Sequence, residues 1–548
     1  MAALALRSMV VLTLLFALAF GVAMAATYSA GLPWYFAALI ALVILGIQFL
    51  ISPFIIEWIH KIEWCDPAQV DPELATFITA VCRQRNLPVP RFGVIPDGNP
   101  NAFTFGHYPG DARLVITRGL LDICDEHEVQ TVVAHELGHI VHWDFVVMTL
   151  AAAVPMLLYV IYRFAFRVRG RGRGAGAVAM VGLAAFIAYL VSQYIVLFLS
   201  RIREYYADHF SAEITRNPNG LASALVKIAY GLAKAPKEQE TEKGASKPAL
   251  AVAGGVGTKA LGVFDHNFGA SLALAAAGGY SQTAGYSQEA TVKAMRWDLW
   301  NPWAFICELS STHPLPAKRL KALEGIAWEL GQTPVFDLPE LKDRPESYWD
   351  DFLVDLAVAY LPAVGLLIGA AIGLGLGLAM HWSVAGVGIA LFGLGLGSLI
   401  RMRFSYPRAA FPPKKVVDLV EEIKVSQIRS IPCTLRGTII GRGIPGLYWS
   451  ADLVLRDETG FIRLDYRQPI RFLEFLFGLF RAEQFIGQEV VAEGWYRRWP
   501  APYCELWKLR DLQGGVQTCY NWAMGFYGSV ILTVIGLGAA MVGLLMQM

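Results

Sequence analysis

About seven stretches of this chain are long and apolar enough to cross a bilayer, where a helical span needs roughly 20 mostly apolar residues. They are residues 9–25, 34–54, 145–164, 177–199, 356–380, 384–400 and 523–546. Composition agrees. Of the 548 residues 55% are hydrophobic and only 17% charged, against about 25% charged in a soluble globular protein. The expected class is a multi-pass α-helical membrane protein, with the lipid bilayer as its first partner. In the fifth run Gly365, Gly369, Gly373 and Gly377 recur every fourth residue, a ridge suited to close helix packing in lipid. The first run also reads as a signal peptide, because "VAMAA" offers a cleavage-like site.

Cytoplasmic loops carry an excess of Lys and Arg. Arg7 before the first run, Lys61 after the second, and Arg401 and Arg403 after the sixth therefore place those ends in the cytoplasm. The basic loop "RFAFRVRGRGRG" between the third and fourth runs disagrees, since simple counting puts it outside. Either that hairpin spans against the rule or it does not span fully. A net charge of +1 gives no electrostatic case for a nucleic-acid partner. The seven cysteines are dispersed with no C-x-x-C pair, which fits neither a disulfide framework nor a zinc ribbon.

Between the second and third runs, "RFGVIP", "NAFTFG" and "ARLVITRG" alternate like short strands bounded by turn residues. "DICDEHEVQTVVAHELGHIVHW" then shifts to helical period, with Asp125 and Glu128 spaced as a capping box. On that helix His135 and His139 stand four residues apart on one face, so both can bind one metal ion. Glu136, about a third of a turn away, is near enough to hold a water at the metal. Zinc lowers the pKa of such a water towards about 7, and Glu136 is placed to take its proton and pass it to a leaving amine.

A catalytic zinc usually has three protein ligands. His142 shares a face with His139 and is one candidate for the third. The longer H-E-x-x-H-x-x-G-x-x-H pattern fails, because His142 stands at its Gly and Phe145 at its last His. Glu204, in "SRIREYYADHFSAEITRNPNGLASALVKI", is the better candidate. Its helix leaves the fourth apolar run at the surface where the zinc helix enters the third. Asp208, one turn on, is placed to accept a ring N–H from a ligand histidine.

The stretches "NAFTFG", "VVAHELGHIVHWD", "SRIREYYADHFSAEITRNPNGLASAL" and "STHPLPAKRLKAL", in that order, resemble the HtpX-like integral-membrane zinc metallopeptidases, relatives of the CaaX prenyl protease. The resemblance covers about residues 60–324. It implies a mainly α (α+β) gluzincin-type metalloprotease domain holding one Zn2+, with His135, His139 and Glu204 as ligands and Glu136 as general base. It also implies that Asn101 helps to bind the substrate backbone, that His313 stabilises the oxyanion and that Arg319 supports His313. The implied substrates are polypeptides, chiefly membrane proteins under quality control. Two features depart from the family. Trp143 stands where a Gly commonly precedes the Asp, and the Ala/Gly/Lys-rich insertion after Lys234, expected to be a flexible surface segment, is long.

Beyond the resemblance, "CTLRGTIIGRG", "SADLVLRDETG" and "FIRLDYRQ" read as three strands, "RFLEFLFGLFRAEQF" as a helix, and "QEVVAEGWYRR" and "YCELWKLR" as two more strands. That order resembles an OB-fold barrel. OB folds often bind single-stranded nucleic acid through basic grooves and stacked aromatics. Here acidic residues nearly balance the arginines, so Trp495, Tyr496, Trp499 and Trp507 read as core or protein-contact residues and the domain as a docking site for substrate or partner. The helix "FLEFLFGLF" is apolar enough to touch the bilayer surface instead.

The expected map begins with two N-terminal membrane helices (1–56), the first segment of the catalytic domain (57–144) and a membrane hairpin (145–199). The second catalytic segment, with an insertion near 235–290, follows (200–350). A second hairpin (351–402), an OB-like domain (403–520) and a final membrane helix (521–548) complete it. The leading reading is a zinc endopeptidase in the cell (inner) membrane, acting on the cytoplasmic side. A processing protease for one modified substrate is the second reading. The third is a non-catalytic scaffold with an OB-like recruitment domain, against which an intact ligand set argues.

Overall fold

The computed structural model describes residues 34–167, 175–230, 288–380, 383–408, 410–499, 501–512 and 514–546. The first apolar run with its signal-peptide reading, most of the basic loop, and nearly all of the insertion lie outside the described residues. The chain divides into two compact units.

In the first unit, helix α1 (Trp34–Ile59) covers the second apolar run and leads to strand β1 (Glu63–Trp64) and helix α2 (Pro72–Gln84). Three further strands follow: β2 (Arg91–Ile95), β3 (Ala102–Phe105) and β4 (Arg113–Thr117). They form a sheet in the order β1-β2-β4-β3, with β2 and β4 parallel and the outer two strands antiparallel to their neighbours. β4 is buried throughout, as expected of a strand with neighbours on both sides. β3 is an edge strand, with Ala102 opposite Ile116 and Phe105 opposite Arg113.

Helix α3 (Glu126–Val141) lies against this sheet. Its start has a capping box, in which Asp125 accepts from the Glu128 N–H and Glu128 accepts from the Asp125 N–H, both at 2.9 Å. Helices α4 (Asp144–Arg167) and α5 (Ala175–Thr215) form the hairpin of the third and fourth apolar runs. α5 continues unbroken past the apolar stretch, so the segment that carries Glu204 grows rigidly out of it. Helices α6 (Pro218–Tyr230) and α8 (Pro316–Glu329) complete the unit. Its core joins sheet and helices through Leu114, Ile116, Leu120, Val133, Leu137 and Phe210, each such side chain stabilising the fold by about 1.5–3 kcal/mol.

The second unit holds helix α7 (Gln288–Trp300), the pair α9 (Trp349–Met380) and α10 (Ser383–Ser405), a barrel, and helix α12 (Asn521–Leu545). The glycine ridge of α9 packs as its spacing suggests. A Cβ on Gly365 would sit 2.2 Å from the carbonyl oxygen of Gly393 on α10, so the helix backbones touch directly. The barrel strands are β5 (Ile431–Arg442), β6 (Leu453–Arg456), β7 (Phe461–Asp465), β8 (Glu489–Arg498) and β9 (Pro502–Asp511), with helix α11 (Arg471–Phe480) between β7 and β8. β5 pairs with β6 and β8, β8 with β9, β9 with β7, and β7 with β6, closing a five-stranded barrel. The expected order of three strands, a helix and two strands is the observed one. A sixth strand, β10 (Val516–Thr518), which the sequence reading does not include, pairs on β9. Trp495 and Tyr496 are both buried, Trp495 against the rings of Tyr406 and Phe411.

Among the described residues, five helices are long and apolar enough to cross a membrane. They fall within α4, α5, α9, α10 and α12.

Candidate active site

The site forms where α3 meets α5. Gly138, between the two histidines, lets the helices approach until a Cβ there would lie 3.1 Å from the Ala207 Cα and 3.2 Å from the Phe210 ring. That closeness carries Glu204 up to the histidines. Its two carboxylate oxygens stand 3.7 Å from His135 Nε2 and 3.7 Å from His139 Nε2. Metal-ligating atoms of His135, Glu136 and His139 all lie within 4.8 Å of one another. Two donors about 2.1 Å from a shared tetrahedral zinc are about 3.4 Å apart, so the nitrogen–oxygen spacing fits an ion with small adjustments. The donor set of two imidazoles and a carboxylate also suits zinc.

Both imidazoles are held from behind. His135 Nδ1 lies 3.0 Å from Asp208 Oδ1, and His139 Nδ1 donates to Asp144 Oδ2 at 2.6 Å. These contacts fix the tautomer that leaves each Nε2 facing Glu204. Arg203 pairs with Asp144 and donates to the His142 carbonyl at 2.6 Å. Arg319 grips Asp208 with Nε at 2.8 Å and Nη2 at 2.5 Å, and its Nη1 stands 3.2 Å from Glu204. The sequence reading sets Arg319 behind His313; the structure sets it behind the two carboxylates.

Burial disfavours a charged His135, but Asp208 and Glu204 outweigh that and hold its pKa up to about 9 in the absence of metal. His139 is pushed down, first by burial and then by the neighbouring His135 charge. Burial raises the Glu136 carboxyl above its ordinary value, which makes it a stronger base. Thr104 on β3 donates to Glu136 Oε2 at 3.1 Å, tying the carboxylate to the edge strand. Asn101, just before that strand, is buried, and its backbone bonds to Thr117 hold it in place. His313 Nδ1 stands 3.0 Å from Glu204 Oε2, off hydrogen-bond geometry, and its Nε2 is buried with no hydrogen-bond partner. His142, the other candidate ligand, caps the end of α3 and packs against Tyr206 and Phe210, with ring centroids 5.2 and 5.9 Å away.

Three contributors escape the sequence reading: Asp144, Arg203 and Thr104. Asp144 had a signal in the break after α3. Trp143 takes a positive φ of 60°, which turns the chain so that Asp144 folds back on His139. That backbone conformation favours glycine, which gives the departure at Trp143 a physical meaning.

The sequence profile of peptidase family M48 matches residues 68–327. A "Protease HtpX homolog" of Methanothermobacter thermautotrophicus is 40% identical over 229 residues, which is 41% of this chain and 86% of that protein. The chain belongs to peptidase family M48. A "Protease HtpX homolog" of Aeropyrum pernix is 29% identical over 303 residues, 54% of this chain and 86% of its own length. Among solved structures, S. mikatae Ste24p is 15% identical and covers 59% of this chain and 67% of that one, with a TM-score of 0.33, too loose a likeness to define the fold. The M48 match contains every residue gathered at the site. The barrel lies beyond it.

Proposed function

We propose that this chain is a membrane-embedded zinc endopeptidase that cuts membrane or membrane-proximal proteins on the cytoplasmic side, in protein quality control. The observation that carries this reading is the convergence of His135, His139 and Glu204, with a carboxylate behind each imidazole and Glu136 alongside. In this reading residues 57–144 and 200–350 make up the catalytic domain, although α7 packs within the second unit, and residues 403–520 are an OB-like docking domain.

Zinc held by the three donors would polarise a scissile carbonyl and acidify water. The remaining work falls to side chains. Glu136, steadied by Thr104, takes the proton of the attacking water and delivers it to the leaving amine. The outer edge of β3, entered through Asn101, offers backbone groups to an extended substrate strand. His313 Nε2, with no partner, is free to donate to the developing oxyanion. Arg319 acts through Asp208 and Glu204, by keeping two buried carboxylates charged and oriented.

Glu136→Gln should retain one zinc per chain and lose peptide hydrolysis by a factor of about 10²–10⁴, the usual contribution of a general base. Metal analysis alongside a fluorogenic peptide assay in detergent checks this. A zinc-loaded variant with near wild-type turnover would show that Glu136 is not the base.

A further inference from the structure

We propose that helix α11 of the barrel lies on the bilayer surface, its outer face sunk into the boundary between headgroups and acyl chains. The proposal rests on the reading of α12 as a membrane span.

The helix has two unlike faces. Phe477 stacks on Tyr466 with ring centroids 3.9 Å apart, and Gly478 is so close to the barrel that a Cβ would sit 2.2 Å from the Trp449 carbonyl oxygen. That face is fully occupied. On the opposite side Phe472, Leu473, Leu479 and Phe480 are 60, 45, 36 and 62% exposed. Four large apolar side chains together on one short helix form a patch that water solvates poorly.

What covers them is indicated by how the helix begins. Gln468, three residues before the helix, donates through Nε2 to the Thr518 carbonyl at 2.9 Å and accepts from the Tyr520 N–H at 3.4 Å. Its own N–H donates to Glu474 in the first turn at 2.8 Å. Asn521, the next residue after Tyr520, opens α12. Three residues span at most about 10 Å, so α11 begins beside the point where the chain enters the membrane. That point has the marks of an interface. The Arg408 guanidinium lies 4.4 Å from the Trp522 ring and 4.7 Å from Phe526, and Tyr520 is exposed. Such aromatic and basic side chains concentrate at headgroup level.

Charge points the same way. Arg471 and Arg481 are exposed at the two ends of the helix, and the one acidic residue within it, Glu474, is taken up by Gln468. A helix with an apolar face and basic ends suits an anionic phospholipid surface. The barrel, held at both ends by α10 and α12, would thereby be fixed in tilt rather than left to swing.

The test places the photo-crosslinker p-benzoylphenylalanine, one position at a time, at Phe472, Leu473, Leu537 and Glu458 of the full chain. Each protein is reconstituted in nanodiscs containing phosphatidylglycerol, irradiated and weighed by mass spectrometry. Leu537 lies in α12 and reports whether that helix meets lipid. Glu458 lies in the turn joining β6 to β7, at the end of that hairpin remote from Gln468. Lipid adducts are expected at 472, 473 and 537, each about tenfold or more above 458, in keeping with a helix buried to acyl depth. Adducts at 537 but not at 472 and 473 overturn the proposal, as do equal yields at 458 or adducts to a second copy of the chain. No lipid adduct at 537 overturns the membrane reading itself.

Discussion

Both units bury ion pairs, and the two sets differ in what they leave over. In the second unit Arg497 donates to Glu505 at 2.8 Å and to the carbonyls of Ser405 and Gln427. Its neighbour Arg498 bonds Asp298 at 2.9 Å and the carbonyls of Ala294 and Val420. Those pairs end on each other, on the backbone around them and, through Glu505, on the Tyr406 hydroxyl at 2.7 Å. In the first unit Arg319, Asp208, Arg203 and Asp144 make equally buried pairs, but through their carboxylates these reach the back of two imidazoles, and Arg319 also reaches Glu204. The front atoms, two Nε2 and a carboxylate, face one another at 3.7 Å, beyond hydrogen-bond reach. Buried charge by itself therefore does not mark a site. Charge arranged to turn several metal-ligating atoms toward one common point does.

That contrast breaks most readily at the arginines. Arg319→Met and Arg498→Met should each cost about 3–5 kcal/mol, because each strands a buried carboxylate. Only Arg319→Met should also release zinc. Adding Asp298→Leu to Arg498→Met should recover most of the loss, as a well-packed apolar pair often can. Adding Asp208→Leu to Arg319→Met should not restore zinc. Denaturant unfolding in detergent with parallel metal analysis checks all four. Zinc loss in the Arg498 variant would erase the distinction.

A smaller effect should come with pH. In metal-free protein the raised pKa of His135, about 9 against an unfolded value near 6.5, means that its protonated form stabilises the fold. That stability is fully present below pH about 6.5 and is lost as pH rises through about 9. Zinc must displace the same proton, so its affinity should climb about tenfold per pH unit between 6.5 and 9. Chelator competition across that window measures it, and a plateau above pH 7 would argue that Asp208 and Glu204 do not hold the proton. Smallest of all, Trp143→Gly should stabilise the first unit by about 1 kcal/mol, by relieving a left-handed backbone that Gly accepts freely. A fall in stability would mean that the exposed Trp143 ring contributes more than the strain costs.

Much of this architecture was open to reading from the sequence, for physical reasons. Helical period brought His135 and His139 to one face. The apolar runs positioned the helices, and the glycine spacing of α9 anticipated its contact with α10. Alternating apolar positions separated the barrel strands. What stayed hidden was long-range or irregular. Asp144 reaches His139 only through the turn at Trp143. Thr104 meets Glu136 only once β3 is placed as the edge strand. Arg319 lies 111 residues from Asp208, and no local pattern says which carboxylate it will choose. The tie from Gln468 to Thr518 and Tyr520 is of the same kind.

The central claim is that α3 and α5 share one zinc. It is tested most directly by the metal content of purified wild type, Glu204→Gln and His142→Ala after dialysis against a weak chelator, read by inductively coupled plasma mass spectrometry. The account predicts about one zinc per chain in wild type and in His142→Ala, and essentially none in Glu204→Gln, because a three-ligand site loses its hold with the third donor. Full zinc in Glu204→Gln with loss in His142→Ala would contradict it, placing all three ligands at the end of one helix.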